Sequence, residues 1–307
     1  MAHWRAYVAA CDPGVVRPGV FLFALERCTR SVLTFNLERE MTLQDFWRAP
    51  ARAGKRLLRI DLILAPLVLT AAVVGWEWLV RWQGYPPFTL PGPELVWARF
   101  TALLADGRLL YHARATLGEI FGGLALGLPL AMSIGYGLAK SPLLERILSP
   151  YIVASQAVPI VALAPLLVIW FGFGGLSKAL VCALTVFFPA LVNTVVGIRS
   201  VEPDLRALMR SLQANRWQTF TMLEAPAALP VLFGGLKVSV TLAVIGAVVG
   251  EFVGADRGLG FLINLARGIL DTPMLFVALF SLVFIAVALY TAVAVLEYVV
   301  LKWRRAE

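Results

Sequence analysis

The sequence predicts an all-α polytopic membrane protein of about six transmembrane helices, with a short amphipathic helix between the fourth and the fifth. Three observations carry this. Sixty per cent of the 307 residues are hydrophobic and the mean hydropathy is +0.80, so polar residues are too few to cover a soluble core and lipid must be the solvent. Six apolar segments, each near the roughly 20 residues a bilayer requires, fall at about 61–80, 116–139, 150–171, 177–198, 231–253 and 274–300. Basic residues collect at the ends of these segments rather than along one face, so the net charge of +8 reads as membrane topology and not as a nucleic-acid surface.

Taken in order, residues 1–40 are mixed and poorly periodic, and the native chain is expected to begin at Met41 or to dispense with them. Arg52, Lys55, Arg56 and Arg59 form a cationic collar before the first span. Trp76, Trp78 and Trp82 near its end read as an interfacial aromatic belt. Tyr85-Pro86-Pro87 and Pro91-Gly92-Pro93 predict an extended, turn-rich outer segment. In span three, Pro159 and Pro165 each remove a backbone donor and invite a kink. Gly118–Gly122 and Gly123–Gly127 in span two, and Gly246, Gly250 and Gly254 in span five, are four-residue spacings that admit a close helix, within the chain or across a dimer seam. With the N-terminus inside, the inner connections hold 13 Lys and Arg and the outer ones 7, which favours both termini in the cytoplasm.

The polar interruption Arg199–Pro230 organises the chain. Pro203 with Glu202 and Asp204 reads as a helix start. Leu205, Leu208, Met209 and Leu212 then form one apolar stripe, with Arg206, Arg210 and Gln213 on the other side. Asn215 is placed to cap a second short helix, Arg216 to Glu224, that presents Trp217 and Phe220 and ends at Pro226 and Pro230. Such a hairpin between two spans needs a protein partner or a headgroup layer for its stripe.

Here ANRWQTF followed by EAPAALPVLFGGLKVS resembles the cytoplasmic coupling loop of ABC-importer permeases of the nitrate/taurine/sulfonate type. VPIVALAPLLVIWFGFGGLSK (158–178) and GEFVGADRGLGFLI (250–263) resemble signature spans of the same family. The likeness runs from about residue 110 to the C-terminus, with a weaker echo at Leu90-Pro91-Gly92-Pro93. Where the family writes Glu-Ala-Ala, three residues and Gly, this chain has Ala207, Leu208, Met209 and Gln213. The resemblance implies that Leu205, Leu208, Met209, Leu212, Gln213, Arg216 and Trp217 contact a separate ATP-hydrolysing subunit. It also implies an extracytoplasmic substrate-binding protein and a permease dimer, expected to be a homodimer, in the bacterial inner membrane. Gly268 to Tyr290 resembles the branch for heterocyclic vitamins and precursors such as thiamin pyrimidine or riboflavin, with sulfonates, taurine and nitrate as the alternative.

The residues themselves point away from catalysis. His3 and His112 are read as lying outside the spans, and no metal-ligand, nucleophile or phosphate-loop spacing is present, so no cofactor is expected. Cys11, Cys28 and Cys182 have no disulfide or metal spacing. Lys237 reads as a snorkelling anchor, and Glu77, Glu119, Lys178, Glu251 and Glu297 as residues near span ends. Glu251 is the strongest of these for a translocation path, with Gln156, Asn193 and Ser239 as weaker candidates; no buried charge pair is expected. A self-contained secondary transporter is the rival class, disfavoured by six spans without inverted repeats. The expected organisation is a cytoplasmic tail over 1–60, a first span and outer segment over 61–109, the importer transmembrane domain over 110–297 with its loop at 199–230, and a cytoplasmic tail over 298–307.

Overall fold

The computed structural model describes residues 54–302, with side chains from residue 66 onward. The expectations for residues 1–40, Met41, Cys11, Cys28, the cationic collar and the tail beyond Lys302 lie outside the described structure. The chain divides into two units between Ala72 and Val73. In the first, Thr70 Oγ1 donates to the Pro66 carbonyl at 2.7 Å within the helix Gly54–Gln83 (α1). Everything below belongs to the second unit.

After α1 the helices are α2 (Pro93–Ala105), α3 (Arg108–Lys140), α4 (Pro142–Gln156), α5 (Ile160–Phe171) and α6 (Gly175–Arg199). Then come α7 (Pro203–Ser211), α8 (Arg216–Thr219), a π-helical segment Phe220–Glu224, α9 (Ala225–Gly254), α10 (Leu259–Gly268) and α11 (Thr272–Val300). Among the described residues no element is a strand. Four helical stretches there are long and apolar enough to cross a membrane: α3, α6, α11 and the continuous run Arg216–Gly254. The pair α4 and α5 makes a fifth if a bent pair counts as one span.

α6 is the central helix, with its most extensive contacts to α3 and α9. Small residues let these backbones meet. A Cβ on Gly127 would stand 2.8 Å from the Ala183 carbonyl oxygen, and one on Gly246 would stand 2.8 Å from Thr185 Oγ1. Gly250 lies against Lys178, and Gly254 against the ring of Phe173. The span-five glycines therefore lie along α6 and the turn before it. Around this seam Ile120, Leu124, Val186, Leu191, Val240, Ala247, Leu262 and Val277 form the buried core.

Three elements differ from the sequence reading. The outer segment contains a helix, α2, and the span-two helix begins at Arg108, so His112 is buried on α3 instead of lying beyond it. Leu109, His112, Thr116, Glu119, Ile120 and Gly123 share the inward face, a helical period that the neighbouring prolines obscured. Span three is not one kinked helix: α4 and α5 meet at 91° around Pro159, which stands at the start of α5, while Pro165 lies inside α5. Trp78 and Trp82 are exposed and stacked 5.1 Å apart, but Trp76 is half-buried and stacks on Phe276 at 5.4 Å.

Candidate functional site

The hairpin α7–α8 joins the end of α6 to the start of α9. Pro203 occupies the first turn of α7, where a missing N–H costs nothing, and Asp204 faces the positive end of the helix dipole. No residue of α7 is buried. Leu205, Leu208 and Leu212 are 42%, 53% and 67% exposed, and Met209 is half-buried. Arg206 does not stand on the solvent side as its spacing suggested: its Nη2 turns back to donate to the Ile198 carbonyl at 2.6 Å. Arg210 stays exposed.

α7 ends in a turn that does not contain glycine. Gln213 has φ +52°, its N–H donates to the Arg210 carbonyl, and the Ala214 N–H donates to the Met209 carbonyl, both at 3.0 Å. That bond pair is the left-handed helix terminus that glycine ordinarily supplies. Asn215 then caps α8 in a reciprocal box with Gln218, each bond 2.8 Å. Arg216 is exposed, and Trp217 is 70% exposed with its ring 5.8 Å from Phe220.

The second hairpin helix does not stop at Pro226 and Pro230. α8 runs through the π-helical segment into α9 as one helical stretch, with the Ala225 N–H donating to the Phe220 carbonyl. Pro226 falls in the first turn of α9, where no donor is required, so the helix passes through it. In that segment Glu224 is 1% exposed and ion-paired with Lys140, the last residue of α3.

At the opposite end of the bundle lies a buried polar cluster, which corrects the expectation of no buried charge pair. Lys178 Nζ of α6 sits 3.4 Å from Glu119 Oε1 of α3, both almost fully buried. Glu251 of α9 accepts from Thr116 Oγ1 at 2.6 Å and from the Gly260 N–H. The Leu259 N–H donates to Thr116 Oγ1 at 2.8 Å, and the Gly258 N–H to His112 Nδ1 at 3.1 Å. Three successive amides at the start of α10 are thus each met by a side chain, which satisfies donors that a helix N-terminus leaves free. Gly258, at φ +117°, touches the Glu251 carboxyl and leaves no room for a Cβ. Beside the cluster, Tyr111, Arg114, Gly118, Glu119, Gly175 and Arg257 line an open cavity of 770 Å³.

The four path candidates do not converge. Glu251 belongs to the cluster, and Ser239 lies 12 residues back along α9, roughly 18 Å away. Ser239 is fully buried with no hydrogen-bond partner, and Asn193 donates to the Pro189 carbonyl of its own helix at 2.8 Å beside a 200 Å³ recess. Gln156 is exposed at the end of α4. Lys237 is ion-paired with Glu297 of α11, and both are about four-fifths buried, so it is not a free snorkelling anchor. Glu224, Lys140, Thr116 and His112 were missed as site residues, because each acts through a partner on another helix. The one local signal was an acidic residue, Glu224, directly before Ala225-Pro226.

A bundle of membrane-length helices with an uncovered amphipathic hairpin at one end defines a polytopic membrane protein that works with a second protein. The chain belongs to the family of binding-protein-dependent transport system inner membrane components, whose sequence profile matches residues 123–305. It is 49% identical over 238 residues, 78% of this chain and 89% of the relative, to the riboflavin transport system permease protein RibX of Chloroflexus aurantiacus. It is 37% identical over 233 residues, 76% and 92% of the two chains, to the formylaminopyrimidine transport permease protein ThiX of Halalkalibacterium halodurans. The putative aliphatic sulfonates transport permease protein SsuC of Bacillus subtilis is 32% identical over 239 residues, 78% and 87% of the two chains. Among solved structures, an inward-facing form of the MetNI methionine ABC transporter shares the fold at a TM-score of 0.50 and 19% identity, over 61% of this chain and 91% of that one.

Proposed function

We propose that this permease is the non-catalytic transmembrane subunit of an importer for a heterocyclic vitamin, riboflavin or a related pyrimidine. It works as a homodimer, receives its solute from an extracytoplasmic binding protein, and is driven by an ATP-hydrolysing subunit docked on α7 and α8. Both termini and the hairpin face the cytoplasm, as the lysine and arginine distribution supports.

The observation that carries this reading is the uncovered stripe Leu205, Leu208 and Leu212 on a helix with no buried residue. Burying one leucine side chain stabilises an interface by about 1.5–3 kcal/mol, so a partner groove gains several kcal/mol from this stripe. The riboflavin assignment rests on the 49% identical relative, and the pyrimidine alternative on the 37% identical one. Sulfonate transport is supported only by relatives of lower identity, such as the one at 32%.

The test uses vesicles holding the permease with the ATPase and binding protein encoded beside it. ATP-dependent uptake is compared for riboflavin, formylaminopyrimidine and taurine. Uptake of riboflavin or the pyrimidine is expected, and transport of taurine alone overturns the cargo assignment. Leu208→Asp should weaken ATPase association by roughly thirtyfold, about 2 kcal/mol, and abolish uptake while the permease still inserts. Trp217→Ala should do the same more mildly. Normal co-purification of the ATPase with Leu208→Asp would remove α7 as the contact.

A further inference from the structure

The hairpin is tied to the bundle on both sides, and both ties close on one corner. On its outgoing side, Glu224 pairs with Lys140 and accepts from the Tyr136 hydroxyl at 3.3 Å. Phe220, one helical turn earlier, meets the Tyr136 ring edge-on at 5.2 Å. On its incoming side, Arg199 at the end of α6 grips both carboxylate oxygens of Glu145 on α4, at 2.6 and 2.5 Å. Lys140 ends α3, Ser141 caps α4, and Glu145 lies in the first turns of α4. The corner Lys140–Glu145 is therefore held from both flanks of the hairpin.

We propose that this corner is where displacement of the hairpin enters the bundle, with Glu224 and Arg199 as the two positioning residues that pull α4. The inference rests on the reading of α7 as the ATPase contact. Along the backbone the hairpin leads only into α6 and α9, which pack against each other over their length and move as a block. α4 is different: none of its residues is buried, so packing holds it weakly. A bidentate arginine–carboxylate pair fixes direction as well as distance, which a single leucine contact does not. The π-helical segment adds one residue per turn at the point where Glu224 projects, and such segments shift register at low cost. α4 then follows the hairpin while the α3–α6–α9 seam stays shut.

The experiment follows α4 directly and needs no identified cargo. Spin labels are placed through Tyr151→Cys on α4 and Leu126→Cys on α3, both exposed positions, in the full complex with its ATPase. The inter-label distance is measured without nucleotide and with ATP and vanadate. The parent complex should show a nucleotide-dependent change. Glu224→Gln and Arg199→Gln should keep the ATPase bound and hydrolysing, while the share of complexes making the change falls roughly tenfold, inside the about 5- to 150-fold range of coupling free energies. The exchanged pairs Glu224→Lys with Lys140→Glu, and Arg199→Glu with Glu145→Arg, should restore it, which a purely structural loss would not do. An undiminished change in the Glu224→Gln, Arg199→Gln double variant overturns the proposal. Loss of the ATPase from either variant also overturns it, by making these residues docking contacts. Failure of the parent to retain an ATPase at all is a different result and overturns the reading of α7.

Discussion

At Gln213 the backbone takes a left-handed turn that costs a residue with a side chain about 1–2 kcal/mol more than glycine. Gln213→Gly relieves that strain and adds some freedom to the unfolded chain, for a net gain of up to about 1 kcal/mol. ATPase docking and uptake should be unchanged and the melting temperature of the purified complex equal or slightly higher. Gln213→Val should melt lower, since a branched Cβ fits this conformation worst. Identical melting of all three forms would mean that the turn is unconstrained. This turn, the Asn215 cap and the Pro203 start were legible in the sequence because cap chemistry lies within a few residues of itself. The ion pairs were not. Glu224 and Lys140 are 84 residues apart, and Arg199 and Glu145 are 54 apart, so nothing local announces them. A charge near a span end reads alike whether it meets water or a buried partner.

Among the elements, α6 decides the architecture, since α3 and α9 both lie on it through small residues. Gly127→Leu should split the seam, because its Cβ would press on the Ala183 backbone, which cannot yield as a flexible side chain can. The cost is about 1–3 kcal/mol or more, read as lower thermal stability and yield. Gly118→Leu one face away meets nothing within 4 Å and should be tolerated. Equal stability of the two variants would argue against the seam. The four-residue glycine spacing was visible from sequence, and the partner helix was not. Prolines misled more. Pro159 coincides with a 91° break, Pro165 and Pro230 lie inside helices, and Pro226 is passed without interruption. The local cost of each is similar, so the outcome depends on the packing around the freed carbonyl.

For the whole molecule, the arrangement of helices across the bilayer is open to chemistry from one side. Ser211→Cys, in a chain lacking Cys11, Cys28 and Cys182, should resist a membrane-impermeant thiol reagent in intact cells and react after permeabilisation. Labelling from outside would invert the topology. The number of spans was legible from hydropathy alone, whereas the path of the third was not, because composition does not distinguish a straight helix from a folded one. That broken third segment has a consequence for hydration. Two helix ends meeting at 91° leave several carbonyls and amides beyond the reach of intrahelical bonding, and Val158 and Val161 beside them are open on this chain. Hydrocarbon offers such groups no replacement, at a cost of several kcal/mol for each one left unmet. The bend must therefore look onto a wet lumen or onto another subunit's surface, and acyl chains are excluded from it.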